Sequence, residues 1–180
     1  MAKFKAIEIA NFFVGLANSI PGDSIDNLKI NKMLYYAQGH SLAKLGEILF
    51  SDKIVAWEYG PVVPEVYRAF KCCGRNIIEE PIEQFDERRL TSDELDLLVN
   101  VYMNYGKYSG GELVNMTHRA GTPWDIVHEK GKNNEIPTSL MMNEFRAHEK
   151  MRDNHDIFAA IPTIKKVPSE WDSAEDTIYG

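Results

Sequence analysis

The segment NLKINKMLYYAQGHSLAKL, residues 27–45, sets the architecture of this chain. Apolar residues fall on most sides of a helix with 3.6 residues per turn, so the pattern predicts a helix buried over most of its surface. Asn27 is the expected N-cap, and Gly46 is the expected first residue beyond the helix. We therefore expect this helix to lie at the centre of the molecule.

Helical spacing and capping signals predict six further helices around it. Thr91 with Glu94 and Ser109 with Glu112 form capping boxes, in which a hydroxyl and a carboxylate satisfy the first free N–H groups of a helix. Thr122 is an expected N-cap, followed by Pro123 in the first turn. The predicted helices cover residues 5–19, 64–73, 91–105, 109–118, a short stretch from 122, and 138–150.

Two short strands, residues 47–50 and 54–58, are predicted between the second and third helices, with 51–53 as a tight connection. Gly60-Pro61 is read as a turn directly after the second strand, and residues 77–78 are a possible third strand. The predicted fold is mainly α with a small β-hairpin or short sheet, an α+β arrangement dominated by helices. We expect a single compact domain over residues 1–150 and a C-terminal tail, 151–180, that is partly extended or docked.

Composition restricts the function classes. The chain of 180 residues has a formal net charge of −7, and its few basic pairs are scattered, which argues against nucleic acid as a partner. There is no signal-peptide pattern and no apolar run of membrane-spanning length, so no membrane partner is expected. Cys72 and Cys73 are the two cysteines, and this usage fits a reducing cytosol, so a cytoplasmic location is expected.

Signatures of catalysis are missing from the sequence. It has no glycine-rich phosphate loop, no G-x-S-x-G elbow, no H-E-x-x-H and no paired cysteine motif, so we expect no enzyme activity, no cofactor and no metal site. His118 lies near a predicted helix end and is expected to satisfy terminal carbonyls. A small enzyme that uses His118 with Tyr35 or Tyr36 is the least favoured interpretation, because no nucleophile or orienting acid accompanies the histidine.

The stretch AWEYGPVVPEVY, residues 56–67, combines aromatic and rigid residues in one short connection. Gly60-Pro61 and Pro64 stiffen its backbone. One interpretation is that its rings pack on the central helix through Tyr35 and Tyr36. The other is that the rigid turn presents an aromatic surface to another protein, since stiff aromatic anchors lose little entropy on binding. Both interpretations can hold together.

The residues of this region are divided between a contact surface and a structural motif. The contact surface is predicted to comprise Tyr59, Val62 and Tyr67, with Tyr35 and Glu58 beside them. The structural motif is divided into core rings, shape-setting residues and a helix-end histidine: Tyr36, Trp57, Trp124; Gly60, Pro61, Pro123; and His118. If Gly60 has a positive φ, a β-branched residue there is expected to be costly.

The helices at 91–105 and 109–118 are joined by a short turn, which is the outline of a helix-turn-helix. The alternative function is therefore a DNA-binding regulator of its own operon. The second helix reads SGGELVNMTH, with an acidic residue and no Lys or Arg. DNA readers need basic or amide groups on that helix, so its chemistry argues against this alternative.

Three motifs in this order resemble the Panacea domain family: KMLYY at 32–36, AWEYGPV at 56–62, and Thr117-His118 followed by Pro123-Trp124. The resemblance covers roughly residues 5–130. The family includes SocA-like antitoxins and phage-associated GepA-like proteins. The resemblance implies a cytoplasmic antitoxin, encoded by a bacterium or phage, that neutralises a cognate toxin by direct protein–protein binding. It further implies an adaptor role toward a cytosolic protease.

Overall fold

The computed structural model describes residues 3–152. These residues form seven α-helices and one two-stranded antiparallel sheet in a single domain, which confirms the predicted helix-dominated class. Short 3-10 turns cover Lys71–Cys73 and Glu87–Arg89. The predicted tail lies outside the described residues except for 151–152, which end the last helix. The elements in chain order are α1 (Ala6–Ser19), α2 (Asn27–Lys44), β1 (Val55–Trp57), β2 (Gly60–Val62), α3 (Pro64–Ala69), α4 (Ser92–Tyr105), α5 (Gly110–Thr117), α6 (Pro123–Val127) and α7 (Thr138–Arg152).

Helix α2 is the central element, as predicted. Fifteen of its residues are buried, and α1, α3, α4, α5, α7 and β2 all pack against it. Its N-cap is Asp26 and not Asn27, because the Asp26 carboxylate accepts a hydrogen bond of 2.7 Å from the Lys29 N–H. Asn27 instead turns its amide inward, toward the site described below.

Helix α7 packs against α2 through a notch at Gly39. A Cβ atom added to Gly39 would lie 2.4 Å from two atoms of the Phe145 ring. The same ring makes edge contacts with Tyr35 and His40, with centroid distances of 5.5 and 5.0 Å. The missing side chain of Gly39 is therefore what allows α7 to approach the central helix.

The helix starts follow the capping signals closely. Both predicted capping boxes are present, Thr91 with Glu94 at α4 and Ser109 with Glu112 at α5. Thr122 caps α6 by accepting from the Asp125 N–H. Local hydrogen bonding therefore fixes these boundaries independently of the packing around them.

The predicted hairpin is wrong in its pairing. Strand β1 pairs with β2 in an antiparallel register that places Trp57 opposite Gly60, so the turn falls at Glu58-Tyr59 and Gly60-Pro61 lies in a strand. Pro61 is tolerated there because β2 is the edge strand, whereas the other side of β1 bonds to residues 134–136.

Residues 47–50 and 77–78 do not form the predicted strands. The Leu49 and Phe50 N–H groups donate to the Gln38 side-chain oxygen of α2, at 2.8 and 3.3 Å. The Ile78 N–H donates to the Ile25 carbonyl, at 2.8 Å. These segments therefore satisfy these backbone N–H groups through other parts of the chain, and Phe50 makes an isolated parallel bridge with Phe4 instead of belonging to a strand.

Gly39→Ala is predicted to destabilise the protein by about 1–3 kcal/mol, because the added methyl group overlaps the Phe145 ring in a packed interface. Gly15→Ala is the matched control, since Gly15 is helical and exposed and an added Cβ would meet nothing within 4 Å. That change is expected to stabilise slightly. Urea unfolding measures both, and an unchanged stability of Gly39→Ala would contradict the proposed notch.

Candidate functional site

The motif segments meet where the hairpin lies on α2. The Lys32 side chain is fully buried, and its Nζ donates a hydrogen bond of 3.0 Å to the Pro61 carbonyl. Gly60 has a φ of +99°, and a Cβ there would lie 2.6 Å from Lys32 Cε and 2.8 Å from Thr117 Oγ1. We call these four residues the hairpin anchor. The positive φ of Gly60 confirms the condition stated above, under which a β-branched residue at this position is expected to destabilise the fold.

Two asparagines extend the anchor toward α3. The Asn31 side-chain oxygen accepts from the Val63 N–H at 2.9 Å, and the Asn27 amide donates to the Tyr67 carbonyl at 3.0 Å. The Asn31 amide also donates to the Asn27 side-chain oxygen, at 3.0 Å. These roles were not predicted, although the sequence carried a signal. Two amides one turn apart on a helix buried on most sides need buried partners.

Trp124 joins α6 to the hairpin. Its Nε1 donates a hydrogen bond of 2.8 Å to the Trp57 carbonyl. Its ring lies between two imidazoles, with centroid distances of 3.6 Å to His118 and 4.3 Å to His128. The hairpin is thus held at Pro61 from α2 and at Trp57 from α6.

His118 has a different role from the one predicted. Its ring stacks on Trp124, and its Nε2 is buried without a hydrogen-bond partner in the described part of the chain, so this atom does not satisfy a terminal carbonyl. Burial, with the nearby positive charge of Lys32, lowers the pKa of His118 to about 4. The imidazole is therefore neutral near pH 7, which suits a stacked, desolvated ring.

The predicted exposed contact surface is mostly wrong. Tyr59, Val62, Tyr67 and Tyr35 are all buried, with exposed fractions between 0 and 9%. Trp57, at the end of β1, and Tyr59, in the turn, pack with Tyr67, Val62 and Val114 in a small apolar cluster. Tyr35 packs on Tyr36 and Phe145. Glu58 alone among the five predicted contact residues is exposed.

The predicted core rings are confirmed. Tyr36, Trp57 and Trp124 are each less than a tenth exposed. Tyr36 stacks on Tyr105 with a centroid distance of 3.8 Å, and Trp57 meets Tyr67 edge-on at 5.1 Å. The aromatic residues of the motif therefore build the shape of the hairpin region from inside.

Exposed side chains remain at the hairpin turn and on α6, and together with the partly buried His128 we call them the hairpin tip: Glu58, Ile126 and His128. The Glu58 carboxylate lies 3.8 Å from the His128 Nε2, and Glu58 is exposed over 45% of its side chain. Ile126 is 58% exposed on α6, between Trp124 and His128. The site thus presents a carboxylate and an apolar side chain next to a hairpin whose backbone is held by hydrogen bonds from Lys32 and Trp124.

A half-buried carboxyl group, that of Glu144, lies on α7 and is 19% exposed. Burial raises the pKa of Glu144 to about 7, although the positive charge of Arg119 opposes the shift. Its Oε2 has no hydrogen-bond partner in the described part of the chain, and its Oε1 lies 3.8 Å from His148 Nε2. Burial also raises the pKa of the Tyr35 and Tyr36 phenols well above their usual range, so both stay protonated. Protonated phenols do not favour the enzyme interpretation.

Residues 3–152 contain no group of three or more His, Cys, Asp or Glu side chains arranged to hold a metal ion. Within the same residues, no helix combines the length and the apolar character needed to cross a bilayer.

Helix α5, the second helix of the helix-turn-helix outline, turns Leu113, Val114 and Thr117 inward and carries no basic residue.

Gly60→Ala is predicted to cost roughly 1–3 kcal/mol more stability than Gly121→Ala. Both glycines have a positive φ, so both variants carry backbone strain, but a Cβ at Gly121 would meet nothing within 4 Å. The difference between the two variants in urea unfolding isolates the contact with Lys32 and Thr117. Equal losses would show that the hairpin anchor is not closely packed.

Glu144→Gln is predicted to stabilise the protein increasingly as pH rises. A carboxyl with a raised folded pKa contributes stability below its ordinary value of 4.5, and this contribution is lost as pH rises through about 7. The neutral amide avoids that loss, which we place on the order of 2 kcal/mol. Melting temperatures of the two proteins from acidic to mildly alkaline pH test this. A pH-independent difference, or a similar effect of Glu47→Gln at an exposed site, would contradict it.

The family model described as "Antitoxin SocA-like, Panacea domain" matches residues 30–125, more than half of the chain. Antitoxin SocA of Caulobacter vibrioides (strain NA1000 / CB15N) is 33% identical over 112 residues. That alignment covers 57% of this chain and 60% of the relative, so this chain matches less than two thirds of the relative's length. No solved structure matches the chain. The matched range includes the hairpin anchor and Trp124, and the chain belongs to the SocA-like Panacea domain family.

Proposed function

We propose that this chain is a cytoplasmic antitoxin that neutralises a cognate toxin by direct protein–protein contact and has no enzyme activity of its own. The observation that carries the proposal is membership of the SocA-like antitoxin family, together with the relative named Antitoxin SocA. A toxin is the general kind of partner that this family suggests. The helix-turn-helix alternative has less support, because α5 offers no basic side chain to DNA.

The hairpin tip is the contact surface that we propose for the toxin. Its backbone is held by the hydrogen bonds of Lys32 to Pro61 and of Trp124 to Trp57. A surface that is already ordered loses little conformational entropy when a partner binds. Glu58 supplies a charge and Ile126 an exposed apolar side chain, the combination typical of a small binding centre with a polar rim.

Delivery of the toxin to a cytosolic protease is a second role that we propose from the family resemblance. It requires the antitoxin to bind the toxin and the protease at the same time. The discriminating measurement is the lifetime of the toxin in cells with and without this chain. A toxin that is bound and inactive, but degraded at the same rate in both, would leave simple neutralisation as the mechanism.

The double variant Glu58→Arg/Ile126→Asp is predicted to weaken toxin binding by about tenfold or more, because it changes both the charge and the apolar side chain of the tip. The experiment co-expresses each variant with the product of the neighbouring reading frame and measures growth rescue and co-purification. Both residues are exposed, so the fold and the melting temperature are expected to change little.

The control is Glu47→Arg, an exposed carboxylate beyond the opposite end of α2 from the hairpin anchor. The helical rise from Lys32 to the end of α2 is roughly 20 Å, so Glu47 lies well away from the hairpin anchor. If wild type rescues growth and the tip variant does so equally well, the tip is not the contact surface. If wild type neither rescues growth nor co-purifies with that product, the antitoxin proposal itself fails.

A further inference from the structure

Residues 74–86 form the longest connection between described elements near α1. The segment runs from the 3-10 turn at Lys71–Cys73 to the one at Glu87–Arg89 and contains neither helix nor strand. Ordered loops of this length are uncommon inside a compact domain, and those that occur are often functional. This loop is therefore a candidate for a second functional surface, separate from the hairpin tip.

The segment is fixed against the body of the protein at several points. The Ile82 N–H donates to the Asn11 side-chain oxygen at 3.0 Å, and the Asn18 amide donates to the Glu79 carbonyl. Phe85 packs on Phe4 and Phe12, with centroid distances of 5.8 and 5.9 Å. This loop is therefore a shaped surface, although it has no regular secondary structure.

Its outer face exposes apolar side chains. Ile77 and Ile82 are each 52% exposed, whereas Ile78 between them is only 3% exposed. The hydrogen bonds and packing that hold the loop thus bury one isoleucine and leave its two neighbours outward. Two half-exposed isoleucines on one ordered loop are apolar side chains that a partner could cover, and we call them the apolar centre of the loop.

The surroundings of this centre are acidic. Glu79, Glu80 and Glu83 are exposed on the same loop. The arginines that follow are engaged elsewhere: Arg88 donates to Asp86 at 2.8 and 3.0 Å, and Arg89 pairs with Glu8. Arg75 is the one basic residue of residues 74–86, against Glu79, Glu80, Glu83 and Asp86, so the loop keeps a negative formal charge in a chain whose net charge is already −7.

We propose that residues 77–83, the acidic isoleucine loop, dock a basic surface of the toxin that carries aliphatic or aromatic side chains at its centre. This inference rests on the proposed antitoxin function and adds a second contact surface to it. Charge complementarity selects the occupant, because an acidic face repels phosphate-bearing partners and attracts Lys- and Arg-rich ones. The isoleucines supply the apolar area that a purely ionic contact lacks. The residues that hold this loop belong to α1 and its surroundings and are not shared with the hairpin tip.

Two kinetic signatures distinguish the parts of this surface. Exposed charges act mainly on the rate of association and on its dependence on salt. Buried apolar contacts act mainly on the rate of dissociation. Charge reversal on the loop is therefore expected to slow association, and removal of the isoleucines to speed dissociation.

The test uses the purified full chain and the purified product of the neighbouring reading frame, with association and dissociation rates measured at low and at high salt. Glu80→Lys/Glu83→Lys is expected to slow association by about tenfold at low salt and to remove most of the salt dependence. Ile77→Ser/Ile82→Ser is expected to speed dissociation by about tenfold. The matched control, Glu47→Lys/Asp96→Lys, makes the same change of net charge at exposed sites outside the loop, and it is expected to leave most of the salt dependence in place.

All four wild-type side chains of the loop variants are exposed, and circular dichroism melting verifies that each variant folds. Wild-type binding with unchanged rates for both loop variants would overturn the docking surface and leave the antitoxin proposal intact. An equal loss of association in the control pair would also overturn it, since the effect would then come from net charge alone. Absence of any binding by the wild type would overturn both proposals.

Discussion

The buried ammonium group of Lys32 is the constraint around which the hairpin region is organised. A charged group without water is costly unless it is hydrogen-bonded, and Lys32 donates to the Pro61 carbonyl. That bond requires the hairpin to lie close to α2, and Gly60 permits the approach because it has no Cβ and adopts a positive φ. One polar contact thus positions the hairpin on the helix, and the Trp124 contact to Trp57 adds a second fixed point at its turn.

The same principle extends along α2. Its buried polar side chains bind backbone groups of neighbouring segments: Asn31 at Val63, Asn27 at Tyr67, and Gln38 at Leu49 and Phe50. Apolar burial brings these segments to the helix, but it does not specify their orientation. Directional hydrogen bonds do so, because a buried amide left without a partner would be destabilising. The central helix therefore acts as a template for chain segments that have little secondary structure of their own.

The sequence predicted the helices well, because their starts are encoded by local groups such as Thr91 with Glu94. It predicted the strand pairing poorly, since the groups that bind the backbone of residues 49–50, the Gln38 side chain and Phe4, lie far away in the sequence. The prediction that Tyr59 and Tyr67 are exposed was wrong for a similar reason. Whether these rings face water depends on which parts of the chain cover the hairpin, and a local sequence pattern does not show that. The roles of Asn27, Asn31 and Lys32 depend on contacts between elements in the same way, and His128 joins the site only through its stack on Trp124.

The hairpin turn separates two kinds of position within a few residues. Gly60 and Pro61 are tied to the interior, whereas the neighbouring Glu58 side chain is exposed and lies 3.8 Å from the His128 Nε2. In evolutionary terms, substitutions at Glu58 leave the packing of the hairpin intact, whereas substitutions at Gly60 or Pro61 disrupt it. A lineage built on this arrangement can exchange one binding partner for another through a handful of surface codons, without passing through unfolded intermediates.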